Sequence, residues 1–173
     1  MSDLHPPEEM PVSDAESRLS AHDHDALRLW LRLFTCTAMI EGQVRTRLRE
    51  EFSMTLPRFD LMAQLQRYPQ GLKMGELSRR MMVTGGNVTG LTDQLVGEGL
   101  VERRPIAGDR RAHAVCLTVK GRSAFDAMAK AHERWIVELT DGIAEPDRDA
   151  LYRQLGTLKH AVAARIGGNG ETP

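Results

Sequence analysis

Two adjacent arginines, Arg110 and Arg111, follow Gly108 and Asp109 in the stretch GDRRAHAVCLTVKG. A period-two run comes next, with His113, Val115 and Leu117 on one side and Ala114, Cys116 and Thr118 on the other, as in a β-strand. Bare guanidinium groups at a hairpin tip suit the holding of phosphate. They also suit a narrow DNA minor groove, where negative potential is enhanced. Asp109 is a poor DNA contact, and its better role is to brace the turn and orient an arginine. The plain alternative for both cations is an ordinary solvated turn.

A second set lies upstream in TGGNVTGLTDQLVGEG, residues 84–99. Thr84 reads as a helix cap whose hydroxyl also reaches phosphate. Gly85 and Gly86 have no side chains to offer, but they let backbone N–H groups at a helix start come close to phosphate. Asn87 and Gln94 are each able to bond adenine in a bidentate manner. Thr89 shares that exposed face with Gly90 and Asp93. The pattern implies modest base readout and a large share of affinity from phosphates and the hairpin. Arg79 and Arg80 read first as solvated surface.

These residues need elements to carry them. A helix is expected from about Asp23 to Phe52, apolar nearly all round in its first half. A second starts near Thr55 and Pro57, with Phe59, Met62 or Leu61, and Leu65 as its apolar face. KMGELSRRMM is a short third helix. The fourth is capped by Thr84, ended at Gly99 and buried through Val88, Leu91 and Leu95. Residues 100–119 read as strand, turn and strand, a β-hairpin. Thr118 caps a fifth helix with a seam of Phe125, Met128, His132, Trp135 or Ile136, Leu139 and Ile143. Pro146 opens a sixth, with Leu151, Leu155, Leu158, Val162 and Ile166 at three-four spacing.

The fold class expected is mainly α with a small β-hairpin wing: a winged helix-turn-helix at 55–118, flanked by a helical dimerisation region at 21–54 and 119–166. Residues 1–20 read as a disordered acidic tail and 167–173 as a flexible end. In such a fold the second helix of the pair enters the major groove and the wing reaches the neighbouring backbone or minor groove. The flanking helices are too apolar for the small reader to bury alone, and a twofold dimer is the simplest remedy. A dimer sets two recognition helices about 34–36 Å apart, on a near-palindromic operator.

Composition agrees with this reading. The 173 residues carry a net charge of −1, with 27% charged and 5% aromatic residues. Residues 1–25 contain seven acids against Arg18 alone, a charge of −6, which leaves +5 for the rest. An acidic tail before a basic body permits nucleic-acid binding. No apolar run reaches the ~20 residues of a membrane span, and no signal peptide is visible. A cytoplasmic protein is expected, with Cys36 and Cys116 reduced. The two cysteines fit no zinc spacing. There is no P-loop, no Gly-rich nucleotide loop after a strand and no nucleophile motif, so no enzyme, metal or cofactor is expected. A winged helix serving an enzyme as its dimerisation module would need a catalytic domain that the remaining chain has no room for. A winged helix that binds protein would not need Arg110 and Arg111.

The wing motif and the stretch GELSRRMMVTGGNVTGLTDQLVGEGLVERR resemble the MarR family of bacterial transcription regulators, from about residue 25 to 166. The resemblance implies a homodimeric repressor on double-stranded DNA, released by a small, often aromatic, effector lodged between the dimer frame and the reader domain. The common pattern has bulky basic side chains on the recognition face, and this chain departs from it. LRLWLRLFTC, LPRFDLMAQL, MVTGGNVTGLTDQL and HERWIVEL resemble the branch controlling aromatic-acid degradation, including hydroxycinnamate and benzoate pathways. That branch implies an aromatic acid or its coenzyme A thioester as ligand. A thioester needs an apolar slot, for which Trp30, Phe34, Met39, Phe59, Met62, Phe125 and Met128 are the candidates. It also needs cations for its phosphates, for which Arg28 and Arg32 stand four apart. His132 lies on the same seam, as a satisfied core histidine or a ligand contact. The bland alternatives are core packing for the apolar set and surface pairing for the arginines. A second functional reading is a thiol-based oxidant sensor acting through Cys36, against the expectation that Cys36 is buried and inert in an apolar helix.

Overall fold

The computed structural model describes residues 25–81, 87–106 and 109–167, and the side chains of all of these except 109–112 and 167. The chain divides into two compact units, Met1–Asp126 and Ala127–Pro173.

The first unit opens with helix α1, Asp25–Phe52, of which only Val44 and Leu48 are buried. Its apolar first half stays uncovered: Leu27, Leu29, Trp30, Phe34 and Met39 are all exposed. Cys36 is exposed in the single chain as well. Leu31, Leu33 and Ile40 of the same half are half-buried.

Helix α2 spans Leu56–Arg67, with Pro57 in its first turn, where a missing N–H leaves no bond unmade. Thr55 stands at the N-cap, but its side chain makes no capping bond. Phe59, Leu61, Met62 and Leu65 are buried as expected, and so are Arg58, Asp60 and Gln64. A helix enclosed this fully must pair its polar groups internally. The Gln64 amide donates to Asp60 at 3.3 Å, and Arg58 reaches Glu98 across the fold.

Strand β1 (Leu72–Lys73), helix α3 (Met74–Arg80), helix α4 (Val88–Gly97), strand β2 (Val101–Ile106) and strand β3 (Asp109–Leu117) follow. The three strands form one antiparallel sheet in the order β1-β3-β2. The hairpin is the expected one, and β1 is an addition to it. Because β3 is the central strand, Ala114, Val115, Cys116 and Leu117 are all buried, at 8%, 0%, 1% and 2% exposure. The period-two alternation read from the sequence therefore sorts side chains by sheet face, not by access to water.

Two backbone features close the hinge between α4 and the sheet. Gly99 adopts φ +70, with its N–H bonding to Val96 O at 2.9 Å and that of Leu100 bonding to Leu95 O at 2.9 Å. This is a Schellman ending, which favours glycine at that position. Helix α5, Val119–Thr140, then starts on Thr118. The Thr118 hydroxyl accepts from the N–H of Gly121 at 2.9 Å and donates to Gly99 O at 2.7 Å.

The second unit holds the remainder of α5 and helix α6, Glu145–Gly167, which Pro146 enters at its second position. Met128, Ala131 and Trp135 are buried. Leu139 and Ile143, expected on the α5 seam, are exposed. No described side chain of α6 is buried, and Leu151, Leu155, Leu158, Val162 and Ile166 line it exposed. Among the described residues, no helix is long and apolar enough to cross a membrane.

Candidate nucleic-acid interface

The helix pair α3 and α4 stands beside the hairpin of β2 and β3. Helix α4 starts at Val88 and is capped by Asn87, whose Oδ1 accepts from the N–H groups of Thr89 (3.1 Å) and Gly90 (3.3 Å). This corrects the expectation that Thr84 caps the helix. Asparagine ranks above threonine as a cap, and its side-chain oxygen meets the two N–H groups here. It also changes what Asn87 offers. An Oδ1 engaged twice by the backbone is not free for bidentate bonding to adenine. Thr84, Gly85 and Gly86 lie outside the described residues.

Inside α4, Leu95 is fully buried, as expected, while Val88 and Leu91 are only half-buried. Their place is taken by Thr92, at 0% exposure, whose hydroxyl donates to Val88 O at 2.7 Å. A threonine buried mid-helix looks polar in sequence, but this backbone bond satisfies its hydroxyl. Thr89, Asp93 and Gln94 are exposed on the opposite side. Asp93 does not stand alone: Arg103 of β2 donates to it at 2.6 Å.

The wing carries Arg110 and Arg111. Asp109, Arg110 and Arg111 lie in the first residues of β3, with Asp109 opposite Ile106 across a register shift at Pro105 and Ile106. Their side chains are outside the described set. Arg104, on the same hairpin, is held by Glu102 at 2.8 Å, which raises its guanidinium above its usual value. On α3, Arg80 is engaged three ways: by Glu76 at 2.8 Å, by the Tyr68 hydroxyl at 2.6 Å, and over the Tyr68 ring at 4.4 Å. The Glu76 bond is the main cause that raises its pKa. Arg80 is thus tied down locally.

A salt bridge missed by sequence reading holds the far end of α4. The Arg58 guanidinium donates to the Glu98 carboxylate, and Lys120 donates to the Glu98 carbonyl at 2.8 Å. Two cations at a helix C-terminus also complement its dipole. Arg58 gave no sequence signal, since an arginine after proline in a first helical turn reads as surface.

Within the first unit the candidate effector residues include two ring stacks. Trp30 and Phe34 stack at 5.7 Å on exposed α1, and Met39 is exposed further along it. Phe59 and Phe125 stack at 5.4 Å, and Met62 is fully buried. Met128 is buried and His132 half-buried in the second unit, where His132 meets Trp135 edge-on at 6.4 Å. Burial lowers the His132 pKa below its usual value. Arg28 and Arg32 line an open depression of about 220 Å³ with Asp25 and Leu29, and Arg28 is 3.8 Å from Asp25. The Cys116 thiol is pushed up by burial, with Arg104 opposing the shift, and it donates to Gln70 O at 3.6 Å.

A paired helix unit, a hairpin wing and long helices before and after them in sequence define a winged helix-turn-helix protein. Residues 54–113 match the family model described as MarR family. The solved structure of a MarR family transcriptional regulator from Silicibacter pomeroyi is 31% identical, with a TM-score of 0.71, over 83% of this chain and 99% of that one. The transcriptional activatory protein BadR of Rhodopseudomonas palustris is 32% identical over 61% of this chain and 61% of its own length. The HTH-type transcriptional repressor YetL of Bacillus subtilis is 30% identical over 48% of this chain and 50% of its own length. The chain thus spans half to three-fifths of those two curated relatives. It belongs to the MarR family.

Proposed function

We propose that the protein is a homodimeric DNA-binding transcription regulator, a repressor that leaves a near-palindromic operator when an aromatic small molecule binds. The observation that carries the reading is the exposed face of α4, with Thr89 and Gln94, lying next to a hairpin that bears Arg110 and Arg111. That pairing of a groove-sized helix with a cationic wing matches DNA. The curated relatives include one named as an activator and one as a repressor. The repressor reading takes the second sign.

The dimer is supported by apolar surface. Trp30, Phe34 and Met39 on α1 are 55%, 60% and 67% exposed, and α6 shows an apolar stripe along its length. Faces of that kind are covered by a second copy in a closed twofold arrangement. The aromatic effector is supported by the two ring stacks and by adaptable methionines nearby in sequence. The depression at Arg28 and Arg32 is smaller than the roughly 300 Å³ at which ligand pockets begin. It suits a phosphate of a coenzyme A thioester, not the whole molecule.

Fluorescence-anisotropy titration on DNA from the gene's own upstream region tests this, with and without aromatic acids and their coenzyme A thioesters. Specific binding released by a thioester, with loss of that response in Arg28→Ala, is the expected result. Release by free acids alone removes the phosphate role. No specific binding at low salt overturns the regulator reading. The oxidant-sensing alternative gains the exposure of Cys36; loss of a peroxide response in Cys36→Ser, with aromatic response intact, would favour it.

A further inference from the structure

Asp93 places a carboxylate on the face of α4 that the DNA-binding reading turns towards a polyanion. Thr89, Asp93 and Gly97 follow one another at helical i, i+4 spacing on that side. Left alone, the charge would repel phosphate. It is not alone, because Arg103 Nη2 stands 2.6 Å from Asp93 Oδ1, with the two side chains 37% and 56% exposed.

The backbone behind Arg103 is firmly held. Arg103 is paired with Val115 on β3, and Val115 is paired in turn with Leu72 on β1. Val115 and Leu72 are 0% and 3% exposed. Cross-strand partners share a sheet face, so the Arg103 side chain leaves the same face as two core residues. Two residues further on, the register shifts at Pro105 and Ile106. Arg103 is therefore in the last regular stretch of β2 before that register shift. Its neighbour Arg104 is occupied by Glu102 and is paired with Ala114, in the next row of the sheet.

We propose that Asp93 and Arg103 are a positioning pair that fixes the angle between α4 and the wing, and thereby sets the preference for specific over non-specific DNA. Its consequence for DNA rests on the regulator reading above. Exposed ion pairs contribute little to global stability. A pair that bridges two separate elements acts on geometry instead. It cancels the charge of Asp93 and holds helix and wing as one rigid reader. Specific recognition needs both to engage at once, whereas non-specific phosphate binding tolerates their independent motion.

The test is a double-mutant cycle with full-length protein. Wild type, Asp93→Asn, Arg103→Gln and the double variant are titrated on the tightest duplex enriched from a random pool, and on an unrelated duplex, at one salt concentration. Each single change is expected to lower the specific-to-non-specific ratio by about tenfold, a size usual for contacting residues. The double variant is expected to fall no further. Amide exchange in β2 and β3 of the DNA-free protein should quicken alike in all three variants, with the same unfolding midpoint. Multiplicative losses in the double variant would overturn the proposal. So would an Asp93→Asn variant that binds both duplexes equally more tightly, since the carboxylate would then be a simple repulsive charge. Wild type without any specific duplex would sink the regulator reading. Unchanged amide exchange would independently sink the positioning pair.

Discussion

The α-carbon of Gly121, in the first turn of α5, faces the carbonyl of Leu100 so closely that an added Cβ would lie 1.8 Å from its oxygen. The obstacle is backbone that is itself fixed, since Leu100 O also accepts from the Thr118 N–H at 3.1 Å. Neither side has a flexible end to give way. Gly121→Ala is expected to destabilise by about 2–3 kcal/mol, in the range of overpacked cores. A urea midpoint equal to wild type would contradict this contact.

Asn87 offers a way to separate capping from base reading. As the cap of α4 it contributes about 1 kcal/mol. Asn87→Ala should therefore lower the unfolding midpoint, while Asn87→Ser should keep most of it, because serine caps equally well. DNA affinity should follow stability through this series. A serine variant with normal stability and lost sequence preference would restore Asn87 to the role of a base reader.

His132 has a pH consequence. Burial depresses its pKa in the folded chain, whereas the unfolded chain titrates near the ordinary value of about 6.5. Between the folded pKa and that value the unfolded state binds more protons, so stability rises with pH through that window and is lost as pH falls through it. His132→Gln should flatten this part of the stability profile and leave the profile above pH 7 unchanged. An identical acid limb in the variant would show that other groups govern it.

The apolar stripes make a prediction about assembly. Leu155 and Leu158 on α6 are 38% and 36% exposed, so a charge there costs the isolated chain little. Leu155→Glu with Leu158→Glu should turn a sedimenting dimer into a monomer without abolishing helix content. In the wild type the thermal midpoint should rise with protein concentration, as for any folded state stabilised by mass action. A dimer untouched by both changes would place the interface elsewhere.

What could be read from the sequence was what is local. Thr118 lies three residues before the N–H it caps, and Gly99 sits directly after the last turn of α4, so both were visible as short patterns. The cap of α4 was misplaced because Thr84 and Asn87 are both good caps, three residues apart. The side-chain bonds of Asn87 to Thr89 and Gly90 decide for Asn87. The bonds Arg58–Glu98 and Arg103–Asp93 span 40 and 10 residues, and neither partner announces the other. Strand β1 has two residues, too few for any period to show. For Cys36, apolar neighbours along a helix do not reveal whether anything packs on them, and in the single chain it is exposed. Thr89, Asp93 and Gln94 are legible in the sequence as one exposed face of α4. For the effector set, the sequence offers apolar residues, and the Phe59–Phe125 stack joins two that are far apart along the chain.

The order β1-β3-β2 leaves the sheet with two open rims. On one, β1 offers only two residues. On the other, β2 carries Glu102, Arg103 and Arg104, then Pro105, which has no N–H to donate. Short, charged or proline-bearing rims make poor templates for another strand. Glu102, Arg103, Arg104 and Pro105 thus guard the β2 rim against pairing with a further strand. Variants that neutralise the wing should be watched for aggregation as well as for lost binding.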